Sequence, residues 1–216
     1  MLTDHHLNPL NGNKPQSAVI LLHGLGDSGA GLIGLGEAWH QALPNTIFLA
    51  PDAPYPCDMA PFGFQWFSAQ DWTPAVVLAG VKKAAPILND YIDHVMASRE
   101  LPPERVALVG FSQGTIMGLY TAPRRTPSLA GVLGYSGALV GGDTLPKERK
   151  SAPPIFLAHG TMDEVIPFTA LAHAEHGLQN ANINVTALAC PNLGHSISDE
   201  GLAQGARFLR RVLGVG

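Results

Sequence analysis

The sequence predicts an α/β fold: a mainly parallel sheet with helices on both faces. Three observations lead there. Strand-like apolar runs alternate with helix-like stretches along the whole chain. The first strong run, Ser17 to His23, is apolar almost without interruption, as expected of a strand covered on both faces. A third run, over 104–109, leads through Gly110-Phe111-Ser112-Gln113-Gly114 into a helical stretch at 115–122, which gives a strand, a sharp turn and a helix in succession. With 216 residues, 46 % of them hydrophobic, the chain is long enough for one well-buried core and short for two. A single domain over 1–216 is therefore expected.

Residues 1–16 are polar and rich in Asn, Pro and Gly, and read as an irregular lead-in with room for a short edge strand. His5-His6 reads as a solvated pair. After the 17–23 strand comes the turn Gly24-Leu25-Gly26-Asp27-Ser28-Gly29, and then a helix over 30–43. The next strand is 45–50. From Pro51 to Pro74, five prolines and most of the large aromatic residues fall together, in a segment too apolar for a disordered linker and too long to lack a job. A helix over 75–99 carries Pro86 as an expected kink. The strand at 104–109 and the helix at 115–122, stopped by Pro123, follow. Strands at 130–136 and 154–160 flank a polar connection whose Lys147-Glu148-Arg149-Lys150 reads as solvated surface. A helix at 168–180, a more exposed strand at 182–189 and an amphipathic helix at 198–213, ended by Gly214, close the chain.

Composition excludes some functions. A formal net charge of −4 with 14 % charged residues offers no basic face for nucleic acid. The N-terminus lacks the basic segment and apolar run of a signal peptide, and no apolar stretch approaches spanning length, so no stable membrane insertion is expected. Two cysteines far apart in sequence, Cys57 and Cys190, fit a reducing compartment, and a cytoplasmic location is expected. Whether the two lie close in space, and whether the chain forms a homodimer, the sequence leaves open.

The chemistry centres on Ser112. A Gly-x-Ser-x-Gly segment between strand and helix holds its serine on a strained turn, and the glycines let the strand and helix approach. A serine hydroxyl is a weak nucleophile and needs a base, itself oriented by a third group. Asp163, just after the 154–160 strand, and His195, in the loop after the last strand, supply both. The order Ser, Asp, His is the one this kind of turn implies. His195 would take the Ser112 proton and Asp163 would fix its tautomer, so activity is expected to fall in acid. His159 reads as a turn-shaping residue, His23 as structural, and His173 and His176 lack an acidic third ligand. No metal and no cofactor are expected, and chelators should leave activity unchanged. Asp27, Asp143 and Asp199 lack the strand-end context of Asp163. The developing oxyanion needs donors. The Gln113 N–H at the helix start is one candidate and the Leu25 N–H in the glycine turn the other. That turn lacks the Lys-Ser/Thr of a phosphate loop.

His23-Gly24-Leu25-Gly26-Asp27, Ala50-Pro51-Asp52-Ala53-Pro54, Gln65-Trp66-Phe67, the Ser112 pentapeptide, His159-Gly160-Thr161-Met162-Asp163 and Gly194-His195 together resemble, in order and spacing, the phospholipase/carboxylesterase family. These are small α/β-hydrolases that include the acyl-protein thioesterases. The resemblance covers nearly the whole chain. It implies an α/β-hydrolase fold without a separate lid domain and a cofactor-free serine hydrolase of small-molecule esters or acylated substrates. It carries Ser112, Asp163 and His195 as triad, with Leu25 and Gln113 at the oxyanion hole. Thr115 departs from the pattern, since many members have a glycine there. The expected activity is hydrolysis of short- to medium-chain carboxylic esters through an acyl-enzyme. Protein thioesters and lysophospholipids are alternatives, as is a non-catalytic ligand-binding homologue. The aromatic residues of the 51–74 segment should cluster over the strand ends as an acyl groove. Trp66, Phe67 and Trp72, with Ile166 and Phe168 opposite, are its expected wall, although Trp66 serves equally well as a structural anchor.

Overall fold

Alternation along buried strands builds two packed layers. In the computed structural model, which describes residues 2–215, the strand β2 (Ser17–Leu22) is buried throughout. Its Ala18, Ile20 and Leu22 enter one core while Val19 and Leu21 enter the other. The strand β6 (Val106–Phe111) repeats the pattern, with Val106 and Leu108 on the first side and Ala107 and Val109 on the second. Met1 and Gly216, the ends of the expected single domain, lie outside the described residues.

The remaining sheet strands are β1 (Asp4–Leu7), β3 (Thr46–Pro51), β7 (Gly131–Tyr135), β8 (Ile155–Gly160) and β9 (Val185–Cys190). Their order is β1-β3-β2-β6-β7-β8-β9, with every neighbouring pair parallel except the antiparallel edge pair β1–β3. The first core is covered by α3 (Pro74–Arg99), α4 (Gln113–Thr121) and α6 (Thr169–Asn180). The second is covered by α1 (Gly29–Leu32), α2 (Gly34–Trp39) and α7 (Asp199–Leu213). The predicted α/β sheet with helices on both faces is thus observed. Among the described residues, no helix is long and apolar enough to cross a membrane.

Several boundaries differ from the sequence expectation. The helix expected over 30–43 is two short helices that meet at Ile33. Gly29, Gly31, Gly34 and Gly36 explain this, because each glycine costs a helix about 1 kcal/mol relative to alanine. The helix α3 continues through Pro86. The strand β6 starts at Val106, since Pro103–Arg105 form a 3₁₀ turn. The strand β9 starts at Val185, as Asn182 adopts φ 53° after α6. The 51–74 segment is not wholly irregular: Tyr55–Pro56 (β4) and Phe64–Gln65 (β5) pair as an antiparallel ribbon. Within the polar connection, Leu145–Glu148 form a short helix, α5; Lys147, Arg149 and Lys150 are exposed, and the partly exposed Glu148 pairs with Arg124 at 2.7 Å. The closing helix follows its sequence signals. Ser198 caps Gly201 N–H at 3.0 Å, acids occupy the first turn, arginines the last, and Gly214 ends it at φ 63°.

Candidate active site

Four parallel strands end on one edge of the sheet, and each delivers part of one cleft. The end of β6 delivers Ser112, which stands at φ 53°, ψ −116°, an unfavourable conformation for a non-glycine residue. Its N–H donates to Tyr135 O at 2.9 Å. Thr115, the departure from the family pattern, is buried, and its hydroxyl donates to the same Tyr135 O at 2.8 Å and accepts from Tyr135 N–H at 3.0 Å. The start of α4 is thereby fastened to β7. The turn is tight enough to need its glycines. A Cβ on Gly114 would lie 1.9 Å from Leu22 O, and one on Gly110 2.4 Å from Thr115 N. Gly114→Ala is expected to destabilise the fold by on the order of 3 kcal/mol, measured as a lowered urea midpoint; an unchanged midpoint would contradict this close approach.

The turn after β8 places Asp163, whose carboxylate is fully enclosed. Its Oδ1 accepts from the N–H groups of Val165 and Ile166, both at 2.9 Å, and its Oδ2 lies 2.8 Å from His195 Nδ1. Burial alone would raise this carboxyl. The hydrogen bonds from His195, Ile166 and Val165 outweigh burial and hold it below the usual carboxylate range. A carboxylate accepts only, so His195 Nδ1 carries the proton of that bond and Nε2 is left as the basic nitrogen. The His195 ring packs on Phe111 with centroids 5.0 Å apart. His159, expected to shape this turn, does so: its Nε2 lies 2.9 Å from Ile166 O and 3.3 Å from Asp163 Oδ2.

The cleft, of about 210 Å³, is lined by Gly24, Leu25, Asp27, Trp72, Phe111, Ser112, Gln113, Val165, Ile166 and His195. Ser112 lies on its floor, 9 % exposed, rather than projecting from the surface. Leu25 and Gln113 line the same space, and among the described residues no protein acceptor engages the peptide N–H of either. An imidazole oriented by a carboxylate in the same cleft as a serine is the arrangement by which a serine hydroxyl can be deprotonated. A larger depression, about 310 Å³, lies between the β4–β5 ribbon and α3, but its lining of Tyr55, Gln65, Phe67, Ser68, Gly80 and Lys83 includes neither Ser112 nor a histidine.

The expected wall residues divide. Trp72, 52 % exposed, and Ile166 line the cleft. Trp66 does not: it is 0 % exposed beneath the site, the anchor of the two roles it was given, because its indole N–H donates to His23 O at 3.1 Å. Phe67 is also buried and faces the other depression, supporting Trp72 edge-on at 6.4 Å. Phe168 packs on His159 at 6.2 Å and does not line the cleft. Gln65, Trp66 and Phe67 are all buried, and the Gln113 side chain holds this stretch through Trp66 N–H and Phe67 O. Sequence reasoning missed Phe111, Val165 and Asp27. The first two had a signal, as neighbours of the nucleophile and of the acid.

The other residues weighed in the sequence lie elsewhere. His5, His6, His173 and His176 are exposed, as are Asp143 and Asp199. His23 is fully buried: its Nε2 accepts from Ala53 N–H at 2.9 Å, so its Nδ1–H donates to Gly24 O at 2.6 Å. Burial holds it below its ordinary pKa, and it is neutral at pH 7. Cys57 and Cys190 are both free thiols. Among the described residues, no three His, Cys, Asp or Glu side chains gather as a metal-ion site.

The sequence model of a family described as Phospholipase/Carboxylesterase matches residues 10–213. Acyl-protein thioesterase 1 of Emericella nidulans is 30 % identical over 93 % of this chain and 92 % of its own length. Esterase YpfH of Escherichia coli K12 is 28 % identical over 99 % of this chain and 90 % of its own. The crystal structure of esterase PE8 superposes with a TM-score of 0.94 at 36 % identity, covering 98 % of this chain and 99 % of that one.

Proposed function

The chain belongs to the phospholipase/carboxylesterase family of α/β-hydrolases and is a hydrolase of carboxylic esters, and on that premise we propose that Ser112 carries the reaction and that short- to medium-chain esters are its substrates. The observation that carries this reading is the 2.8 Å bond between Asp163 and His195 at the edge of the cleft that holds Ser112. His195 Nε2 takes the Ser112 proton as Oγ attacks the substrate carbonyl. The resulting imidazolium is stabilised by Asp163, and the oxyanion by the N–H groups of Leu25 and Gln113. His195 then protonates the leaving oxygen, and water, activated by the same nitrogen, releases the acid from Ser112.

Substrate size follows from the walls. A cleft of about 210 Å³ is smaller than the ~300–1,000 Å³ typical of sites for drug-sized ligands. Trp72, Phe111, Val165 and Ile166 give it an apolar lining. Each acyl methylene buried there contributes up to about 0.8 kcal/mol, roughly fourfold in kcat/KM. Across p-nitrophenyl esters from acetate upward, kcat/KM is expected to rise to medium length and then fall, and Trp72→Ala should flatten the rise. A flat profile that the mutation leaves unchanged would remove Trp72 from the acyl site.

A thioester on an acylated protein is the second reading. It is favoured by the rim, where Trp72 and Val165, the latter 64 % exposed, leave the cleft open to an acyl group held on another surface. An S-acylated peptide assayed beside the ester series separates the two. Both cysteines being free thiols supports a cytoplasmic location.

A further inference from the structure

The aromatic segment that starts in β5, residues 64–67, connects two parts of the cleft that lie far apart in sequence. At one end it is paired with the glycine turn: Gly26 N–H donates to Phe64 O at 2.9 Å and Phe64 N–H to Asp27 O at 2.8 Å. At the other end it is held by the side chain of Gln113, which is buried. Trp66 N–H donates to Gln113 Oε1 at 2.7 Å, and Gln113 Nε2 donates to Phe67 O at 2.8 Å. Only one orientation of the amide satisfies both bonds, so the side chain is locked. Between these ends the Trp66 indole N–H reaches His23 O at 3.1 Å. His23 Nδ1–H in turn holds Gly24 O at 2.6 Å. Gly24 C=O and Leu25 N–H belong to one planar peptide and point in opposite directions, so fixing the oxygen fixes the direction of the N–H.

We infer that Trp66 is a positioning residue for the reaction: its backbone N–H and its indole N–H join Gln113 and the His23–Gly24–Leu25 turn into one frame that holds the two oxyanion donors in register. The inference rests on the reading of Leu25 and Gln113 as those donors. Trp66 touches no substrate. Its effect passes through groups that do. A preorganised hole derives its effect from donors fixed before the charge develops, so a loosened frame lowers kcat while leaving ground-state binding nearly untouched.

Trp66→Phe keeps most of the buried ring and removes the indole donor. It is expected to lower kcat for a p-nitrophenyl ester about tenfold or more, short of the ~10²–10³-fold for losing a donor outright, with KM changed less than about threefold. Affinity for an alkyl boronic acid, whose tetrahedral adduct occupies the same hole, should fall by a similar factor. The acid limb of the pH profile should not move, because Asp163 and His195 are untouched. If kcat and boronate affinity both stay within about twofold of wild type, or kcat falls without the boronate affinity, the inference is overturned. Should Trp66→Phe fail to fold, Gln113→Met, which breaks the other half of the frame at similar volume, is read by the same criteria. A crystal structure of the wild-type boronate adduct tests the underlying reading separately. An adduct oxygen bonded to the Leu25 and Gln113 N–H groups upholds the hole whatever Trp66→Phe does, and an oxygen directed elsewhere removes it.

Discussion

Ser112→Ala is expected to lower kcat/KM for an activated ester by about 10⁴- to 10⁶-fold, the scale seen when a serine hydrolase loses its nucleophile. The fold should survive. The turn is held by Ser112 N–H on Tyr135 O and by Thr115 on both backbone groups of Tyr135, and neither set of bonds uses the Ser112 hydroxyl. Alanine tolerates the φ of 53° no better than serine, so the strain remains and the melting temperature should change little. A variant retaining more than about a tenth of wild-type kcat/KM would show that another group attacks the substrate.

Asp163→Asn should be nearly as damaging, by about 10⁴-fold in kcat, for a reason the geometry makes specific. The two N–H groups of Val165 and Ile166 bind Oδ1, so an asparagine at 163 keeps its oxygen there and turns its NH₂ toward His195. His195 Nδ1 must then accept, the proton moves to Nε2, and the ring loses the lone pair that faces the nucleophile. The same residue makes a stability prediction. The folded carboxyl is depressed, so its contribution is present in full above the unfolded pKa and is lost as pH falls through the folded value. Between neutral and acid pH, wild-type unfolding free energy should therefore drop by more than that of Asp163→Asn, measured by urea titration. Parallel pH curves would contradict the depressed carboxyl.

The order of strands and helices was legible because burial imposes period-two and helical patterns on the chain locally. The Ser112 turn, Asp163 and His195 stand out in the sequence for a related reason: each lies in the turn or loop after a strand, and parallel strands bring their ends to one edge. The cleft walls are less legible. Trp66 and Trp72 sit in the same proline-rich segment, yet one is enclosed and the other half open. What separates them is the hydrogen bonding of residues 66–67 to Gln113, a partner 46 to 47 positions away. No periodicity in the segment encodes that pairing. The break of the expected 30–43 helix is legible in its glycines, Gly31, Gly34 and Gly36, each of which costs a helix about 1 kcal/mol.

The proposed acyl-enzyme forms on Ser112. The most direct measurement is labelling of the native protein with an alkyl fluorophosphonate, followed by proteolysis and mass spectrometry of the modified peptide. Stoichiometric modification of Ser112, abolished in Ser112→Ala, is the predicted result. A label on any other residue, or activity persisting after Ser112 is fully modified, would contradict it.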